Sequence, residues 1–146
     1  MKILLIFITV AAGVGSALES GSNSMLQKTL SSLLWSVALV AVVSVVVGLL
    51  LAALFGGPLP SGKLEEAPWW AWLGGLFGVL FLFATVYVSP KLGAGPFVAT
   101  IVTSSTFMSL AMDNFGLMGF EVHKAGVGRI IGGLLMAAGV ACVAAF

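Results

Sequence analysis

The stretch Pro68-Trp69-Trp70-Ala71-Trp72-Leu73-Gly74-Gly75-Leu76-Phe77-Gly78-Val79-Leu80-Phe81-Leu82-Phe83-Ala84-Thr85-Val86-Tyr87-Val88-Ser89-Pro90-Lys91 decides the fold. Residues 67–89 carry no charge. A hydrocarbon core about 30 Å thick takes about 20 residues at 1.5 Å per residue, so this run is long enough to cross a bilayer as a helix. Proline suits a first helical turn, and indoles favour the headgroup region, where the ring is apolar and its N–H stays wet. Pro68, Trp69, Trp70 and Trp72 therefore mark one membrane boundary, and Pro90 beside Lys91 marks the other.

Working outward, residues 3–18, 29–62, 92–112 and 130–146 are likewise free of charge. The chain has 146 residues, 60% hydrophobic and 8% charged, with a mean hydropathy of +1.20. Soluble domains are about a quarter charged, which excludes a soluble core. The reading is an all-α integral membrane protein with five transmembrane helices over residues 2–25, 33–54, 68–89, 96–113 and 127–145, forming a single five-span membrane domain over 1–146. Lys2 followed by residues 3–14 and then Gly15, Ser16 and Ala17 also imitates a signal peptide, which would leave four spans. The helical pattern continuing beyond Ala17, with Gly13, Ser16 and Ala17 as small packing residues, favours a span.

The connections are short. Residues 27–32 are expected to turn between the first two helices, and Gly56-Gly57-Pro58-Leu59-Pro60-Ser61-Gly62 with Lys63, Glu65 and Glu66 forms the longest aqueous loop. Gly93, Gly95 and Pro96 make a sharp return after Pro90 ends the third helix. The net charge of +1, without a basic cluster, argues against nucleic acid as a partner. The lone Cys142 allows no intrachain disulfide. No metal-ligand cluster or phosphate-cradling loop is present in the sequence, so neither a metal, a cofactor nor an enzyme activity is expected.

Five spans place the termini on opposite sides. Lys2, Lys63, Lys124 and Arg129 fall on the N-terminal side, and Lys28 and Lys91 on the other. Lys and Arg prefer cytoplasmic loops, which favours a cytoplasmic N-terminus, yet so small a bias permits insertion both ways. Many transporters pair two inverted halves around a midplane site. An odd-numbered half must find its inverted partner in a second molecule.

The Trp-Gly block at 68–78 with Pro90-Lys91-Leu92-Gly93-Ala94 resembles the signature of the YdcZ-like family of the drug/metabolite transporter superfamily. Glu19 and Asn23 stand where that family shows Gln and Asn four apart. Asp113-Asn114-Phe115-Gly116 is similar to its Asp-His-Phe-Gly, and Arg129-Ile130-Ile131-Gly132-Gly133-Leu134 with Gly139-Val140 to its closing pattern. The resemblance covers essentially the whole chain. It implies a multi-pass protein of the bacterial inner membrane that transports small molecules and corresponds to the half-unit of an inverted-repeat transporter. This sequence departs from the pattern at Glu19, in place of Gln, and at Ser105, in place of a Gln eight residues before Asp113. One carboxylate is gained and one amide lost.

Glu19 ranks first among candidate binding residues. A charge at a helix centre costs about 2.5–3.5 kcal/mol on insertion scales, so an acid retained in a span marks ion or substrate handling. On a helix, Ser16, Glu19 and Asn23 share one face, with Ser20 beside it. Such a carboxylate can exchange a proton against a cationic or polar substrate, and small multidrug resistance transporters also carry a glutamate in their first helix. If the first helix instead stops near Leu18, Glu19 is interfacial.

Ser105 and Ser109 in the fourth helix are the second candidates, either facing the same cavity as Glu19 or making interhelical hydrogen bonds. Trp72 sits one turn deeper than the belt tryptophans. Asp113 closes the fourth helix as a cap, or as a partner of Arg129 or Lys124, and His123 reads as a solvated loop residue. Together these predict a proton- or ion-coupled transporter of a small polar or cationic metabolite, embedded in the lipid bilayer. It would work by alternating access as a homodimer, antiparallel or not, or as a heterodimer with a paralogue. The competing reading is a membrane assembly or accessory protein that packs its glycine faces against another membrane protein.

Overall fold

The computed structural model describes residues 2–59 and 61–145. Backbone polar groups cannot be left unpaired in hydrocarbon, and a helix pairs them within its own segment, so apolar runs of this length become helices. They do so here as α1 (Lys2–Leu30), α2 (Leu33–Phe55), α3 (Leu73–Tyr87), α4 (Ser89–Leu92), α5 (Ala94–Phe115) and α6 (Val127–Ala145). A 3₁₀ turn over Trp69–Trp72 leads into α3. Five spans are long and apolar enough to cross a membrane among the described residues, the third formed jointly by Trp69–Leu92.

Two boundaries differ from the sequence reading. The first helix continues to Leu30, and residues 27–30 are its last turn rather than a connection. Polarity there signals emergence from hydrocarbon, while the helix itself stops where Ser31 turns left-handed (φ 50°) and its N–H bonds back to Gln27 O at 2.9 Å. Only Ser31 and Ser32 separate α1 from α2. The third helix breaks at Val88, two residues before Pro90: the proline has no N–H to bond Val86 O, and it falls in the first turn of α4, where that missing N–H is no loss. Gly93 alone (φ 89°) then lies between α4 and α5. Near this break the Lys91 ammonium sits 3.4 Å from the centroid of the Tyr87 ring, one turn before it.

The contacts divide the chain into two compact units, residues 1–91 and 92–146. In the first, α1, α2 and α3 touch one another pairwise. Lipid, not water, surrounds such a unit, so apolar side chains gain little from burial and polar ones gain partners. Accordingly Ser20, Asn23, Ser36, Thr85 and Ser89 are buried along with Val37 and Val86, while Leu34, Val42, Leu49, Leu54 and Phe77 are exposed.

The second unit is a helical hairpin of α5 and α6. Gly133 allows the close approach: a Cβ there would lie 3.1 Å from Phe107 Cε1. Gly116 ends α5 in a left-handed conformation (φ 62°), its N–H bonding Met112 O, and a Cβ would meet Val122 Cγ2 at 2.8 Å. Only glycine satisfies both conditions without strain.

Candidate functional site

Glu19 lies well inside α1, about 17 Å from Leu30 and about 25 Å from Lys2 along the helix axis. The reading in which the helix stops at Leu18 is therefore corrected: Glu19 is followed by three further turns of helix. Its side chain is half-buried and lines a cavity of about 570 Å³ between α1 and α2. The α1 wall is Glu19, Ser22, Asn23 and Leu26; the α2 wall is Leu39, Val40, Val43 and Ser44. The size falls in the range of small-molecule sites, and the composition is an apolar surface with a few convergent polar groups. Among the described residues, no hydrogen bond or ion pair engages the Glu19 carboxylate.

Asn23 connects this cavity to α3. It is 4% exposed, and its Nδ2 donates to Thr85 Oγ1 at 2.9 Å. Thr85 in turn donates to Leu82 O at 2.8 Å. The Ser20 and Ser89 hydroxyls bond to each other beside this pair, both buried. Two side-chain bonds thus clasp α1 to the end of the third span on either side of the Val88 break. Neither Thr85 nor Ser89 was singled out by the sequence. Their four-residue spacing, set against Ser20 and Asn23 three apart, is the signal that could have found them, since hydroxyls one turn apart in an apolar helix share a face.

The other sequence-derived candidates lie apart from this cavity lining. Ser16 is half-buried one turn before Ser20 and does not line the cavity. Ser105 is exposed and donates to Val102 O at 2.9 Å within its own helix, and Ser109 is exposed. Trp72 ends the 3₁₀ turn at 62% exposure, as a boundary anchor would.

Asp113 belongs to a second group at the α5–α6 connection. Its carboxylate meets Arg129 Nη1 at 3.4 Å, and its backbone carbonyl accepts the His123 N–H at 2.8 Å. Asn114 Oδ1 accepts the Ala125 N–H at 3.2 Å, and Arg129 also reaches His123 O. A cavity of about 370 Å³ there is lined by Asp113, Phe120, Glu121, His123 and Arg129. The Arg129–Asp113 ion pair lies along it, and its bonds tie the loop to both helix ends. Among the described residues no group of His, Cys, Asp and Glu is arranged to hold a metal ion.

A family described as “Putative inner membrane exporter, YdcZ” matches residues 4–142. The chain belongs to the YdcZ family. It is 28% identical over 142 residues to the inner membrane protein YdcZ of Escherichia coli (strain K12), covering 97% of this chain and 95% of that protein. No solved structure matches it. Membership places this YdcZ-family chain in the inner membrane as a multi-pass transport protein, consistent with its five long apolar helices.

Proposed function

We propose that the chain exports a small polar or cationic solute by proton exchange at Glu19. In this reading residues 1–146 act as one five-span domain, a half-unit that pairs with a second copy or a paralogue and works by alternating access. The observation that carries it is an acid without a partner, deep in a span, on the wall of a largely apolar cavity. An uncompensated carboxylate in such a place is costly to insert, and a cation or a proton supplies the missing partner. Binding either one but not both makes Glu19 an exchange point: a monovalent cation arriving releases one proton, and a proton arriving releases the cation. The family's description as an exporter supports the direction.

The test is proton flux in liposomes containing the purified protein and a pH-reporting dye, with a panel of small amines and cationic metabolites imposed as gradients. Wild type should show solute-driven proton movement that Glu19→Gln abolishes and Glu19→Asp partly keeps. Undiminished coupled flux in Glu19→Gln would sink the proposal.

A further inference from the structure

The hydrogen-bond directions around the cavity narrow the kind of cation it takes. Thr85 has one hydroxyl proton, and it goes to Leu82 O. Thr85 Oγ1 can therefore only accept from Asn23, which orients the amide so that Nδ2 faces Thr85. Asn23 Oδ1, the other end of that amide, has no hydrogen-bond partner among the described residues, where no buried side-chain oxygen or nitrogen lacks one. Oδ1 is therefore accessible, on a residue whose opening is the cavity it lines. Ser44 likewise spends its proton on Val40 O at 3.0 Å, leaving its oxygen lone pairs. Glu19 contributes a carboxylate with no partner. Ser22, the remaining polar group of the wall, can serve in either sense.

The cavity thus presents acceptors: a carboxylate, an amide oxygen and a hydroxyl oxygen, against a wall of Leu26, Leu39, Val40 and Val43. A quaternary ammonium matches the charge but offers no N–H, so the amide and hydroxyl oxygens would be desolvated without compensation. A protonated primary amine matches the charge and carries three N–H donors to offer such acceptors. Building on Glu19 as the cation-binding group, we infer that the cavity selects protonated primary amines carrying a small apolar body, with Asn23 as the specificity-determining contact. Thr85 is the positioning residue that fixes the Asn23 amide.

Binding of 2-phenylethylammonium and its N,N,N-trimethyl analogue to the purified full-length protein, by calorimetry, tests this. The two share an apolar body and a charge and differ in N–H donors. Wild type should bind the primary amine at least about tenfold more tightly, because sites built to hydrogen-bond a donor reject analogues lacking it. Thr85→Val should shrink that ratio at least about threefold by freeing the amide to turn, and Thr85→Ser, which keeps the hydroxyl, should preserve it. Equal affinities in wild type, no binding of the primary amine, or an unchanged ratio in Thr85→Val would overturn the inference. Glu19→Gln separates the two levels. If it weakens both ligands while wild type fails to discriminate, only the amine selectivity falls; if it leaves both affinities unchanged, the role of Glu19 falls with it.

Discussion

In residues 1–91, buried polar side chains reach from helix to helix: Ser20 to Ser89, and Asn23 to Thr85. In residues 92–146, Thr100, Ser104, Ser105 and Thr106 instead give their protons to carbonyls of α5 itself. The side-chain bonds that leave α5 lie at its C-terminal end, from Asp113 and Asn114 to the loop and to Arg129. A hydroxyl bonded within its own helix is satisfied without specifying any neighbour. One bonded across a gap holds two spans in register, because neither apolar lipid nor water at that depth offers a replacement. The first unit therefore joins its helices by polar clasps beside a cavity, and the second by close contact, Gly133 on Phe107, with a polar strap at one end.

The largest effect expected on this contrast is functional. Glu19→Gln should abolish proton-coupled flux while leaving thermal stability in detergent near wild type or above it, since it removes a charge without a partner. A loss of stability as large as the loss of flux would mean that Glu19 is structural, and the contrast between the two units would narrow.

Next comes the hairpin contact. Gly133→Leu forces a side chain into the Phe107 ring and should cost about 1–3 kcal/mol in unfolding measurements, the usual range for overpacking. Phe107→Ala introduced with it should recover part of that loss. Failure of the second change to compensate would show that α5 and α6 are not held by this contact.

The clasp can be measured by a double-mutant cycle on Asn23→Ala and Thr85→Val, with an expected coupling of about 0.6 kcal/mol and at most about 1.7, as for side-chain bonds between membrane helices. The same cycle between Ser105→Ala and Ser109→Ala should give about zero within error, because Ser105 is bonded only to its own helix. Equal couplings would erase the distinction between the units.

Smallest is the exposed ion pair. Arg129 and Asp113 have side chains 45% and 34% exposed, so Asp113→Asn should cost about 0.2–1 kcal/mol. The cost should shrink as salt is raised, measured by unfolding at low and high ionic strength.

How far these features could be read in advance depended on their physical range. The five spans were legible in residues 3–18, 29–62, 67–89, 92–112 and 130–146, because desolvation of the backbone is a property of each segment alone. Helix ends were harder. Residues 27–30 look like a loop by polarity, yet the helix outlasts the hydrocarbon until Ser31 turns left-handed. The third span breaks at Val88, two residues before Pro90, whose missing N–H leaves no bond for Val86 O and which falls in the first turn of the short α4 instead.

Of the candidate site residues, Glu19 and Asn23 stand out in the sequence by charge in a span and four-residue spacing on one helix, and both line the cavity, whereas Ser16, on the same face, stays outside its lining. Of the α5 hydroxyls, Thr100, Ser104, Ser105 and Thr106 are bonded at home, whereas buried Thr103 and exposed Ser109 make no such bond among the described residues.

What the chain by itself determined is that it enters a membrane as five helices, which stretches form them, and that one acid, Glu19, falls within the first. Those are sums over consecutive residues. Only the tertiary structure decided that Asn23 faces Thr85 rather than lipid, that Ser44 from α2 shares a wall with Glu19 from α1, and which ends of these groups are left as acceptors. Such outcomes depend on which helix lies opposite, and a hydroxyl's one proton is committed only when its neighbours are in place.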